Sequence, residues 1–108
     1  MRIEEYCGMG EKTPTVGMKC TLHYYSDSEP ATVTRISKSG KTLWVKENKT
    51  EADSTKENGM GHQNWIIHDE LEGEEKRFFL TKNGKWYNSG KTIYLQLGTH
   101  HKYYDWSF

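Results

Sequence analysis

Rings and cations are the residues of this chain whose types and spacing could do chemistry. Tyr25, Trp44, Trp65, Phe79 and Tyr94 each fall out of phase with the aliphatic residues beside them. If the aliphatic side chains of a strand fill an interior, these rings face outward. A base stacked on such a ring gains about 1–3 kcal/mol, so two or three rings make a platform for a nucleotide or a single strand. Arg35, Lys38 and Lys41 gather around one turn, and Lys76, Arg77, Lys82 and Lys85 around another. Either cluster suits phosphate, and Arg is the better bidentate ligand, which makes Arg35 and Arg77 the preferred anchors. The expected ligand-binding set is therefore Tyr25, Trp44, Arg35, Lys38, Arg77 and Trp65. Structural uses compete for the same residues. Tyr103 to Phe108 could fold over the rings as a second small core, the ringed face could join two copies of the chain in a homo-oligomer, and the lysines could guard a sheet edge.

Other chemistries find less support. His23, His62, His68, His100 and His101 offer acid–base or ligand groups, but His100 and His101 are adjacent and would point to opposite sides of a strand. His68 is separated from Asp69 and Glu70 in the same way, so no catalytic set is expected. Cys7 and Cys20 lack the second pair of a zinc site, and Cys20 shares parity with Met18 and Leu22, which makes it a core residue. The run Ser37-Lys38-Ser39-Gly40-Lys41-Thr42 is similar to the end of a phosphate-binding loop. It lacks the earlier glycine and the following helix, which argues against a nucleotide hydrolase. The expectation is a binding module, not an enzyme, with no cofactor and no metal.

The chain has 108 residues, enough for one domain with a modest core. Hydrophobic residues make up 33% and aromatic residues 13%, so that core must rely on bulky rings. Lys plus Arg and Asp plus Glu number 15 each, which removes the overall charge signal for duplex nucleic acid and leaves only local basic patches. No apolar run is long enough to span a bilayer and no charged-then-apolar leader opens the chain, which points to a soluble cytoplasmic protein with no membrane partner.

These residues need strands to position them. Met18, Cys20, Leu22 and Tyr24 alternate with Lys19, Thr21, His23 and Tyr25. A second strand begins at Ala31 and Val33, and the step to Ile36 breaks parity by one residue, as a bulge does in a curling sheet. Thr42 to Val45 forms a third strand and Trp65 to His68 a fourth, with 69–75 as a connection. Lys76 to Leu80 and Lys85 to Tyr87 flank Asn83-Gly84, the signature of a type I′ hairpin. Asn88-Ser89-Gly90 turns into a last strand with Ile93, Leu95 and Leu97 facing in. The class is all-β: a small antiparallel barrel with an added hairpin. Residues 1–14 form an N-terminal arm, 48–63 a long polar loop that is either a lid or disordered, and 100–108 an aromatic tail.

Two resemblances add to this reading. Val16-Gly17-x-Lys19-Cys20, an aromatic before Ser26-Asp27, Pro30-Ala31-Thr32-Val33 and Ile36 together resemble the opening of Tudor-type domains within the SH3-like barrel group. That likeness implies an aromatic cage for a methylated Lys or Arg, held by cation–π attraction, with Tyr24 or Tyr25 as its first ring. Glu29 and Lys46-Glu47 stand where further rings would be expected. The run Ser37 to Thr42, Asn58-Gly59-Met60, the Phe79-Leu80-x-Lys82-Asn83-Gly84-x-Trp86 hairpin and the Tyr104-to-Phe108 end together look like small phage- and prophage-encoded proteins. That second likeness implies an accessory role against host defence, with a small nucleotide signal or a host protein as partner. A nucleic-acid or modified-peptide reader and a protein–protein inhibitor stay open beside it.

Overall fold

The computed structural model describes residues 13–56 and 63–103. The expected arm up to residue 12, the loop tip at 57–62 and the tail from 104 onward, along with Cys7, His62 and Trp106, lie outside the described residues. Among the described residues there is no helix. Six antiparallel strands follow one another, β1 (Lys19–His23), β2 (Ser28–Ile36), β3 (Thr42–Ala52), β4 (Trp65–Leu80), β5 (Trp86–Tyr87) and β6 (Tyr94–Leu97). Each pairs with the next and β6 returns to β1, so the sheet closes in a ring.

The ring closes because each strand supplies one apolar face. Cys20 and Leu22 of β1, Ala31 and Val33 of β2, Leu43 and Val45 of β3, Phe78 of β4, Trp86 of β5 and Leu95 and Leu97 of β6 fill the interior. Met18, Tyr24, Ile36 and Ile93, partly buried, pack against it. Burying each Leu, Val or Phe side chain contributes about 1.5–3 kcal/mol. Burial pushes the Cys20 thiol up to about 12, leaving it a small apolar group and not a nucleophile. The parity break in β2 is a bulge. Val33 pairs with Val45 and Arg35 with Trp44, which leaves Thr34 as the extra residue.

Three expectations are corrected. The polar loop does not begin at 48, because β3 continues through Ala52 and pairs with β4 from Trp65 onward. Residues 69–75 are not a connection but the middle of one long strand. Between Val45 and Glu47, and again between Asn48 and Thr50, β4 advances four residues while β3 advances two. Gly73, at φ 80, sits in the first of these irregularities; a glycine there accepts the left-handed backbone that lets the strand jog and resume. The Asn83-Gly84 turn is not type I′. Only Gly84 has positive φ (83), Gly84 N–H donates to Thr81 O at 3.0 Å and Thr81 N–H to Lys85 O at 2.8 Å. This is a three-residue loop, a type I turn followed by a glycine bulge.

Beyond β6, residues 98–103 form a strap that runs along β1 to the start of β2. Gly98 N–H donates to Lys19 O, His101 N–H to Thr21 Oγ1, and Tyr103 and Ser28 exchange backbone hydrogen bonds. The start of the tail therefore docks on β1 and β2. Buried Asn48 holds the strap to the long β3–β4 ribbon. Its Oδ1 accepts from Thr32 at 2.8 Å and from His100 Nε2 at 3.1 Å, while its Nδ2 donates to His68 O at 2.8 Å. With Asn48 Oδ1 as acceptor, His100 must carry its proton on Nε2.

Burial, and the charge of Lys19, pull the His100 imidazole below its ordinary value, against an opposite pull from Asp69. Below pH 6.5, the ordinary value, the unfolded chain takes up the proton first. The His100 contribution is thus fully present above that pH and is lost as pH falls through the folded-state value. We expect stability in urea to decline on acidification from pH 7 to pH 5, and His100→Gln to flatten that decline. An identical pH profile in the variant would show that this residue is not the sensor.

Candidate functional site

On a closed sheet the residues out of phase with the core must face outward, and register decides which of them meet. Thr42, Phe79, Tyr87, Tyr94, His23 and Ser28 are successive cross-strand partners around β3, β4, β5, β6, β1 and β2. Partners directly opposite share a face, so Phe79, Tyr87, Tyr94 and His23 form one continuous outer row of rings. The His23 and Tyr94 rings stack with centroids 5.6 Å apart and planes at 24°, and Tyr87 meets Tyr94 at 5.6 Å and 48°. His23 is clamped, donating from Nε2 to Gln96 Oε1 at 2.9 Å and accepting at Nδ1 from Ser28 Oγ at 3.2 Å. Two residues along β3 from Thr42, Trp44 lies between its partners Arg35 and Arg77.

Cations interleave with this row. The Arg35 guanidinium lies 4.0 Å from the Trp44 ring centroid, that of Arg77 5.1 Å from Phe79, and Lys85 Nζ 5.4 Å from Tyr94. With Lys102 at 4.9 Å over Trp65, the described residues hold four such pairs, where about one per 70–80 residues is usual. The rings are therefore not left bare, as the outward parity alone suggested. Of the five rings expected from sequence, each except Tyr25 already carries a cation of its own chain.

The predicted site residues divide. Trp44, Arg35 and Arg77 are brought together. Arg35 is not a free phosphate anchor, because its Nη2 donates to Glu75 Oε1 at 3.1 Å while Glu75 Oε2 accepts from Thr34 at 2.8 Å. Those bonds, the one from Thr34 foremost, hold the Glu75 carboxyl below the usual range. Lys38 stands in the adjoining Ser37–Gly40 turn. Tyr25, 97% exposed, lies in the β1–β2 turn outside the row, and Trp65 is at the far end of the ribbon, opposite Ala52.

Tyr87 was not singled out from sequence, and His23 only as one of five histidines with acid–base or ligand groups. Nor was a charge signal hidden by overall neutrality. From Lys76 to Lys102 the sequence holds no Asp or Glu, while Lys76, Arg77, Lys82, Lys85, Lys91 and Lys102 are all cationic. This acid-free stretch carries Phe79, Tyr87 and Tyr94. Beside Tyr87 an open cleft of about 820 Å³ is lined by Leu80, Thr81, Lys82, Asn83 and Lys91.

The positions that the Tudor-like opening would give to a cage hold a polar cluster. Tyr24 donates to Glu47 Oε2 at 3.1 Å, Lys76 pairs with Glu47 at 3.3 Å, and Lys102 pairs with Glu29 at 2.7 Å. Burial, then the charge of Glu47, drive the Tyr24 hydroxyl upward, so it stays a neutral donor. The carboxylates that could meet a methylated cation already have ammonium groups beside them. Compared with known proteins, the chain matches no family model, no curated protein and no solved structure.

Proposed function

We propose that this chain is a non-enzymatic binding protein whose outer face takes a nucleotide-type ligand, in the first place an unpaired nucleic-acid strand. The observation that carries the reading is the row Phe79, Tyr87, Tyr94 and His23, flanked by Trp44 and interleaved with Arg77 and Lys85. Every base has a face to stack, and cations between rings meet the phosphates that link successive bases. An extended strand suits this face better than a sequestered small nucleotide, because sequestration requires walls that bury most of the ligand and the row lies on the outside of a closed sheet. The cleft beside Tyr87 favours the small-nucleotide reading as a second use of the same region.

The Tudor-like, SH3-like barrel assignment belongs to this proposal. A ring of six antiparallel strands is compatible with it, and small barrels commonly present one sheet face to a strand. In the setting implied by the likeness to small phage proteins, the ligand is a nucleic-acid or nucleotide signal of host defence.

Titrating a short labelled oligothymidylate at several salt concentrations tests the reading. If the strand meets three or four cations, log affinity should fall against log salt with a slope of about −2 to −3, near −0.7 per phosphate neutralised. A duplex of equal length should bind more weakly. Absence of binding at low salt, or an affinity indifferent to salt, would remove the proposal.

A further inference from the structure

We propose that the cleft beside Tyr87 holds a phosphate monoester, the phosphorylated end of the bound strand. This rests on the strand-binding reading above and specifies its ligand. The two turns flanking β5 build the cleft. Thr81 to Lys85 closes through Gly84, and the loop after Tyr87 closes on Asn88, whose carbonyl accepts from Lys91 N–H at 2.9 Å and whose Oδ1 accepts from Thr92 and Ile93 N–H at 2.8 and 3.0 Å. Together these turns set Lys82 and Lys91 around the Tyr87 ring.

Three observations point to a dianion. Lys82 and Lys91 form no ion pair among the described residues, whereas Lys76 and Lys102 are matched to Glu47 and Glu29. No carboxylate is among the cleft's described lining residues. An internal phosphodiester carries a single charge, while a monoester carries about −1.5 to −2 at pH 7, so two unmatched ammonium groups match an end and exceed what a linkage needs.

The third observation is backbone strain. The residue of this turn that adopts positive φ is not Gly90 but Lys91, at φ 56. Lysine takes that conformation reluctantly and glycine freely, and such outliers concentrate where ligands are held. The Tyr87 ring beside the two ammonium groups gives the terminal base a surface.

Calorimetric titration of unlabelled oligothymidylates bearing a 5′-phosphate, a 3′-phosphate or only hydroxyl ends, with thymidine monophosphate alongside, tests the proposal. One phosphorylated end should bind about tenfold more tightly than the hydroxyl-ended strand, a preference that Lys82→Ala and Lys91→Gly reduce to within about twofold. Lys91→Gly should melt above the parent protein, since it relieves the strain, so its loss of preference cannot be ascribed to unfolding. Equal binding of all three strands would overturn the end site and leave strand binding standing, and a preference that survives both substitutions would overturn the assignment to these lysines. Binding of thymidine monophosphate alone, abolished by Lys91→Gly, would support the monoester site and overturn strand binding. No binding of any probe would overturn both.

Discussion

Replacing Tyr94 with leucine is expected to weaken binding of a short single strand by about fivefold to 150-fold, the ~1–3 kcal/mol that one base-on-ring stack contributes. Tyr94 is the residue to change because it sits mid-row, stacked on His23 on one side and in contact with Tyr87 on the other. Leucine keeps the strand apolar and forfeits ring pairs worth about 0.5–1.5 kcal/mol, so the variant stays folded and its melting temperature reports this independently. Tyr25→Ala is the contrast. That ring is 97% exposed but lies in a turn outside the row, and its removal should leave affinity unchanged. Binding that falls as far in Tyr25→Ala as in Tyr94→Leu, or that survives Tyr94→Leu intact, would mean that the strand lies elsewhere.

The contrast between Tyr25 and Tyr94 shows how far sequence reading reaches. Parity identifies which rings leave the interior, and it does so for Trp44, Phe79 and Tyr94. Parity is a property of one strand, whereas a site is a property of register between strands. The step that aligns Phe79 with Tyr87, Tyr87 with Tyr94 and Tyr94 with His23 depends on where each hairpin turns. Moving any of those turns by one residue would have sent the row into the core. Tyr87 belongs to a strand of two residues, Trp86–Tyr87, too short to show a period at all. His23 was visible only as a histidine, since nothing local shows that Gln96 and Ser28 clamp it as a flat stacking surface.

The elements that sequence misplaced share one cause. β4 reads as a strand, a glycine-bearing acidic connection and a second strand, because Asp69, Glu70, Glu72, Glu74 and Glu75 offer nothing to bury. The chain keeps them in a strand by letting β3 pair along nearly its full length, with two irregularities absorbing four surplus residues. Pairing partners far away in sequence, not local propensity, hold that stretch extended. Overall neutrality hid the acid-free stretch in the same way: acidic residues concentrated around β3 and the middle of β4 cancel, in the total, a run from Lys76 to Lys102 that has none. The lesson for the site is that charge had to be read in windows along the chain and then placed on the ring before its sign meant anything.

Lys102→Met should cost about 2–3 kcal/mol of folding stability, more than its loss of charge on the surface would suggest. Lys102 Nζ donates to both oxygens of Glu29, at 2.7 and 2.8 Å, with the two side chains only 11% and 21% exposed, and it lies 4.9 Å over the Trp65 ring. It thereby ties the strap to β2 and to the far end of the ribbon. Burial raises the Glu29 carboxyl above its ordinary value even though Lys102 pulls it down, so the pair does not fully repay the removal of its charges from water. Taking away one partner of such a pair leaves the other charged and unmatched, and this is where the large penalty arises, whereas neutralising both together costs far less. Glu29→Gln alone leaves the Lys102 ammonium unmatched and should cost a comparable amount, while combining it with Lys102→Met should recover most of the loss. The sign with pH follows from the raised carboxyl. Folding favours protonated Glu29, so the single variant's deficit is largest at pH 7, where the carboxylate is charged, and shrinks as pH falls through the folded-state value toward 4.5. Urea denaturation of the four members of this cycle at pH 7 and pH 4.5 measures each term, and a Lys102→Met midpoint equal to that of the parent at pH 7 would refute the argument.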